Sequence, residues 1–129
     1  MKKFIIILSV IAIVTTSCKK VTEQYYTTPN KTIFASINSW STADGGFTYT
    51  ATVNMPEINA AAYDLDATLV YGTFEDGEDE PIPQVFNGIA YNYAVRVGSI
   101  TIKVQSSDYT KINPPSALPI KIVLIASQE

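Results

Sequence analysis

Alternation of apolar and polar residues with a period of two is the feature that most restricts the fold of this chain. Between Phe47 and Val53 every second residue is aromatic or aliphatic, and the residues between them are threonines. Successive side chains of a β-strand point to opposite faces, so this alternation is typical of a half-buried strand. The chain is therefore expected to build its core mainly from sheets.

Seven segments are predicted to be strands, most of them from this alternation, and they are separated by turn-forming residues. The segment 67–74 is apolar on both faces, which predicts a central strand, while Pro81 and Pro83 confine 82–86 to an edge or irregular strand. Gly98 suits a tight hairpin, and the alanines of 57–63 suit one or two helical turns. We expect an all-β fold, a single antiparallel β-sandwich of about seven strands. The seven segments are 33–40, 47–53, 67–74, 82–86, 89–97, 99–105 and 120–126.

The start of the chain has the layout of a secretory signal. Lys2 and Lys3 precede an apolar run over 4–14 that is broken only by Ser9, and small or polar residues then lead to Cys18. The run is about half of the roughly 20 residues that a helix needs to cross a membrane. It is therefore predicted to direct export and then to be removed.

Cys18 is the one cysteine of the chain, so no disulfide can form within it. The segment 15–18 resembles the lipobox of bacterial lipoprotein signals, with Thr15 where that pattern usually has leucine. The resemblance implies cleavage after Ser17 and lipidation of Cys18, whose acyl chains would hold the protein on a membrane. The predicted organisation is a lipoprotein signal peptide at 1–17, a lipidated cysteine and polar tether at 18–30, and a β-sandwich domain at 31–129.

Composition excludes several functions. Loss of residues 1–17 would leave 112 residues and move the net charge from −3 to −5, because Lys2 and Lys3 leave with the signal. An acidic domain without a basic patch is a poor match for nucleic acid. The chain has no histidine, and lipid would block its thiol, which removes most general-base, thiolate and zinc chemistry. No enzyme activity and no cofactor are predicted.

The chain carries five short motifs, at Trp40, Met55 to Ile58, Ala67 to Tyr71, Pro81 to Pro83, and Ile120 to Ile125. In this order they are similar to motifs of a set of short Bacteroidota envelope lipoproteins, whose folded part is a β-sandwich of unassigned function. This resemblance implies attachment to the outer membrane. Many surface-displayed lipoproteins of that phylum carry acidic residues after the lipidated cysteine, whereas Lys19 and Lys20 stand there in this chain. Both the periplasm and the cell surface stay open as the side that the domain faces.

The acidic run over 75–80 is the one candidate for a metal site. Asp76, Glu78, Asp79 and Glu80 are oxygen donors of the kind that Ca²⁺ requires. Their spacing does not match an EF-hand loop, and acidic turns are commonly just solvated. The favoured interpretation is a solvated hairpin turn at Asp76-Gly77, between a strand that ends near Phe74 and a segment that starts at Ile82, with calcium as the alternative.

Two further groups of side chains are candidates for carbohydrate chemistry. Trp40, Tyr91 and Tyr93 would form a stacking face for sugar rings if they were exposed, although core packing explains tyrosines in strands equally well. Asp64 and Asp66 flank Leu65 before a strand and suggest the paired carboxylates of glycoside hydrolysis, which must face one cleft at a defined separation. A sandwich of this size offers little room for a catalytic cleft, which argues against the second group.

The sequence thus predicts an exported, lipid-anchored protein of the bacterial outer membrane that acts as a non-enzymatic interaction or structural module. The alternative is a glycan-binding module that uses Trp40 and exposed tyrosines. The predicted partners are the membrane, through lipidated Cys18, and either an envelope protein or a glycan.

Overall fold

A computed structural model describes residues 28–127 of the chain. The predicted signal peptide, Cys18 and most of the predicted tether lie outside the described residues. The described part contains eight strands and one short helix: β1 (Lys31–Ile37), β2 (Thr48–Asn54), α1 (Ala60–Leu65), β3 (Ala67–Glu75), β4 (Glu78–Ile82), β5 (Gln84–Phe86), β6 (Ile89–Arg96), β7 (Ser99–Ser106) and β8 (Leu118–Ile125).

The strands form two four-stranded sheets whose inner faces share one core, which confirms the predicted all-β sandwich. Sheet A has the strand order β1-β8-β3-β4, and sheet B has the order β2-β7-β6-β5. Every strand pair is antiparallel. The central position of β3 and the edge positions of β4 and β5 also agree with the sequence.

The core lies between the two sheets and follows the period-two pattern. In sheet B, Ile100, Ile102 and Val104 of β7 are fully buried, and β2 sets its own alternate residues opposite them. In sheet A, Ile120 and Ile122 of β8 are almost completely buried. Burying one such side chain contributes about 1.5–3 kcal/mol, so β7 and β8 supply much of the stabilisation.

The acidic run is not the continuous turn that the sequence predicts. The turn itself is Asp76-Gly77, with Gly77 at a φ of 80°, and the chain resumes at Glu78 as β4, which pairs with β3. The ladder with β3 satisfies the backbone of this segment, and the charged side chains stay accessible. This extra strand brings the total to eight.

The first strand ends earlier than the sequence predicts. Instead of running on to Trp40, β1 stops at Ile37, and Ser41 forms a bridge with Thr50 of β2. The chain has therefore left sheet A for sheet B by this point, and Trp40 lies in the crossing segment.

One end of the sandwich is closed by the segment after β2. Met55 and Ile58 are buried, and Gly98 of the hairpin between β6 and β7 makes a backbone hydrogen bond to each of them. The helix α1 follows, with the side chain of Asn59 accepting from the backbone N–H of Ala62 as its cap. The predicted helical turns are thus present, shifted by a few residues.

Candidate functional site

The three aromatic residues predicted for glycan binding are half-buried and do not form one exposed face. The indole Nε1 of Trp40 donates to the carbonyl of Ser116 at 3.1 Å. Tyr91 and Tyr93 lie on the inner face of β6, opposite Val104 and Ile102 of β7, and pack against the core.

Tyr93 and Tyr91 differ in what their hydroxyl groups do. The hydroxyl of Tyr93 donates to the carbonyl of Thr68 in the opposite sheet at 2.7 Å. Tyr91 meets the ring of Phe74 edge-on at 4.7 Å and lines a cavity at one end of the sandwich. Burial raises the pKa of both phenols, so both are neutral donors at physiological pH.

The four carboxylates considered for calcium have separate environments. Asp79 binds Lys121, Glu80 accepts from Gln84 at 3.1 Å, and Asp76 and Glu78 are exposed. Within residues 28–127, no three His, Cys, Asp or Glu side chains are grouped as a metal site would need.

Of the two carboxylates at the end of α1, Asp66 has a structural role and Asp64 faces water. Asp66 caps the helix, and its carboxylate accepts from the backbone N–H of Ser127 at 2.9 Å. Asp64 is exposed on the helix.

Sequence reasoning missed an apolar surface on the outside of sheet A. Across three adjacent strands, Phe34 of β1 lies opposite Lys121 of β8, which lies opposite Tyr71 of β3. In the next rows, Leu69 lies opposite Val123, and Ile125 extends the surface along β8. These five apolar residues, Phe34, Leu69, Tyr71, Val123 and Ile125, are called the outer face of sheet A.

The outer face of sheet A leaves large apolar side chains in water. The side chain of Phe34 is 76% exposed, Leu69 is 40% exposed and Ile125 is 37% exposed. Val123 links them, because it lies opposite Leu69, two residues before Ile125 on β8 and on the diagonal from Phe34. Exposed apolar patches on protein surfaces are often sites of interaction.

Lys121 lies in the middle of this surface with its charge neutralised. Its Nζ is 2.7 Å from a carboxylate oxygen of Asp79 and 4.7 Å from the centre of the Tyr71 ring. The hydrogen bond from Lys121, followed by that from Thr73, lowers the pKa of Asp79. The pair therefore adds no net charge to the outer face of sheet A.

The outside of sheet B has a different composition. Its outward residues on β2 and β7 include Thr50, Thr52, Thr101 and Lys103. The hydroxyls of Thr52 and Thr101 are within 3.1 Å of each other. This polar face needs no cover, and its residues are suitable controls for substitutions on sheet A.

Calcium is expected to leave the stability of the protein unchanged. Addition of millimolar Ca²⁺ should not raise the melting temperature. The triple variant Glu78→Gln, Asp79→Asn, Glu80→Gln should melt at most a few degrees below the parent, because it loses only the exposed Asp79–Lys121 ion pair. Thermal unfolding with Ca²⁺, with Mg²⁺ and with chelator measures both effects. A saturable rise that the triple variant lacks would show a calcium site, because a ligand stabilises by mass action.

Acid is expected to destabilise the fold through three aspartates. Hydrogen bonds lower the pKa of Asp44, Asp79 and Asp108 from the ordinary value of 3.8, chiefly from the Thr48 backbone, Lys121 and Ser106 respectively. A depressed folded pKa stabilises the fold above the ordinary value, and this contribution is lost as the pH falls through the folded pKa. The melting temperature should therefore fall from about pH 4 downwards.

The variant Asp44→Asn tests this assignment. It keeps the side-chain oxygen that accepts from Phe47 and Thr48 but cannot ionise. Its melting temperature should depend less on pH below 4 than that of the parent. An identical acid profile in the two proteins would contradict a role for this group.

Within the described residues 28–127, no helix has the length and apolar character needed to span a membrane. Comparison of the chain with protein-family models, with curated proteins and with solved structures found no match in any of the three.

Proposed function

We propose that this chain is a lipid-anchored, non-enzymatic protein of the bacterial cell envelope that binds another protein through the outer face of sheet A. The observation that carries the proposal is the exposed apolar patch around Phe34. An apolar sheet face normally packs against a second layer. Here the partner supplies that layer.

The chemistry of the outer face of sheet A suits a protein partner with an apolar, uncharged contact surface. The cores of protein interfaces are depleted in charge and enriched in aromatic residues. Phe34 and Tyr71 provide aromatic anchors, and the Lys121–Asp79 pair is already neutral. A charged group of the partner placed against this pair would lose its hydration shell without gaining a counter-ion.

The anchor in this proposal is Cys18, which lies outside the described residues. The lipobox-like segment before it supports lipidation, and the resemblance to envelope lipoproteins supports the outer membrane. A polar tether from Lys19 to Asn30 would reach at most roughly 40 Å if fully extended. The domain would therefore meet partners that are themselves held at or near the membrane.

The absence of enzyme activity in the proposal rests on chemistry. The chain has no histidine, and its one cysteine is the predicted lipidation site. Asp66 and Asp79 hold structural hydrogen bonds, and burial raises the pKa of the Tyr91 and Tyr93 phenols, so both stay protonated near neutral pH.

Site-specific photocrosslinking in living cells tests the surface. A photoreactive amino acid at position 34 of the full chain is expected to give one product of defined mass, larger than the protein by the mass of a partner. The matched control places the same amino acid at position 101, on the polar face of sheet B, and should give only background.

Two outcomes would contradict the proposal. Equal products from positions 34 and 101 would show that contact does not depend on the apolar face. A product with the mass of two copies of this chain would show self-association instead of a different partner.

A further inference from the structure

A cavity at one end of the sandwich lies apart from the outer face of sheet A. It has a volume of about 620 Å³ and opens between the turn before β2 and the long segment that joins β7 to β8. Ligand sites in proteins commonly have volumes of roughly 300–1,000 Å³. The inner faces of β2 and β6 form its floor, with Tyr49, Ile89 and Tyr91.

Hydrogen bonds hold the two walls of this cavity in place. The backbone N–H of Ile112 donates to the carbonyl of Gly46 at 2.9 Å and joins the loop to the turn. The carboxylate of Asp44 accepts from the backbone of Phe47 and Thr48, and Trp40 holds the far end of the loop through Ser116. The cavity is therefore preformed, which lowers the entropy cost of binding.

Gly46 fits this wall because it has no side chain. Its φ of 99° is unfavourable for other residues, and a Cβ there would lie 3.4 Å from the carbonyl oxygen of Ile112 and 3.5 Å from the hydroxyl of Tyr49. The Tyr49 hydroxyl is thus at the cavity wall, although the residue as a whole is buried.

The polar groups that line the cavity are available to a ligand. Unlike Tyr93, neither Tyr49 nor Tyr91 makes a hydrogen bond through its hydroxyl within residues 28–127. Asn113 and Lys111 are exposed residues among those that line the cavity, and the Nζ of Lys111 lies 5.4 Å from the centre of the neighbouring Phe47 ring. None of the lining residues is acidic.

We propose that this cavity binds a sugar ring that carries a carboxylate, such as a uronic acid residue of a glycan. Lys111 would pair with the carboxylate, and the two phenols and Asn113 would hydrogen bond to the ring hydroxyls. An aromatic acid of similar size has no hydroxyls and would leave these groups unpaired. The site uses one of the residues first considered for glycan binding, Tyr91, with Tyr49 and Lys111 in place of Trp40 and Tyr93.

Titration of the purified protein with matched ligands tests the proposal, and protein-observed NMR measures the binding. The methyl glycoside of glucuronic acid should bind saturably, and the methyl glycoside of glucose, which differs in the carboxylate, should bind about tenfold more weakly. Benzoate should bind more weakly than the uronic acid. Absence of saturable binding by the uronic acid, equal binding of the two sugars, or tighter binding of benzoate would overturn the proposal.

Variants locate the binding on the protein. Lys111→Met should weaken binding of the uronic acid about tenfold, while Lys103→Met, which removes the same charge from the outside of sheet B, should change it less than about twofold. Tyr91→Phe, which keeps the ring, should also weaken binding. Equal losses in the two lysine variants would overturn the assignment to this cavity. None of these substitutions touches the outer face of sheet A, so crosslinking from position 34 tests the protein partner independently.

Discussion

Ile122→Ala is expected to lower the free energy of unfolding by about 2–5 kcal/mol. Ile122 is fully buried at the centre of β8, opposite Ile33 of β1 and Val70 of β3. Both neighbouring strands depend on this position, so the cavity left by the substitution cannot close easily. At about 4–8 °C for each kcal/mol in a domain of this size, the melting temperature should fall by at least about 8 °C.

The neighbouring residue provides the matched control. Val123 follows Ile122 on the same strand but faces outwards, in the outer face of sheet A. Val123→Ala should shift the melting temperature by a few degrees at most. Thermal unfolding followed by circular dichroism compares the two, and equal losses would contradict the assignment of inner and outer faces.

Cys18→Ala is expected to move the protein almost completely from the membrane fraction to the soluble fraction. We expect this shift because the variant lacks the thiol that would carry the acyl chains. Stable attachment requires at least two lipid chains or an equivalent second signal. Cell fractionation, together with metabolic labelling by a clickable fatty acid, measures both position and lipid. The control Lys19→Ala should keep its label and its membrane attachment. Incorporation of label by the Cys18→Ala variant would contradict lipidation at this residue.

The inner face of the sandwich could be predicted because its signal is local. A period of two assigns Tyr49, Ala51 and Val53 to one side, and the structure has them opposite β7 on that side. Pro81 and Pro83 likewise predict an edge, since proline cannot donate to a ladder. The sequence signal for the turn at Asp76-Gly77 is also local. The length of β4 after this turn depends instead on pairing with β3.

The outer face of sheet A does not follow from the sequence, because a strand that is apolar on both faces predicts burial on both faces. Residues 67–74 are apolar on both sides, which predicts a central strand, and β3 is central. A central position covers the strand edges but not the outward side of the sheet, which only another layer can cover. Leu69 and Tyr71 are therefore apolar without being fully buried. The sequence alone does not distinguish an apolar residue covered by another layer from one that faces water.

The cavity depends on contacts between segments far apart in sequence. Tyr91 was a candidate because it is aromatic, but Lys111 and Asn113 lie in an irregular loop without periodicity. Their position follows from the bond between Ile112 and Gly46, which no local pattern predicts.

The most direct test of the proposed function is crosslinking from one position of the outer face of sheet A while another is charged. A photoreactive amino acid at position 125 of the full chain should give the same partner product as position 34. The additional substitution Phe34→Asp should abolish this product, because Asp79 already neutralises Lys121 and the partner would have to bury the added negative charge. Thr101→Asp, which adds the same charge to sheet B, should leave it intact, with equal amounts of both variants in the membrane fraction. Persistence of the product with Phe34→Asp, or its equal loss with Thr101→Asp, would contradict binding through this face.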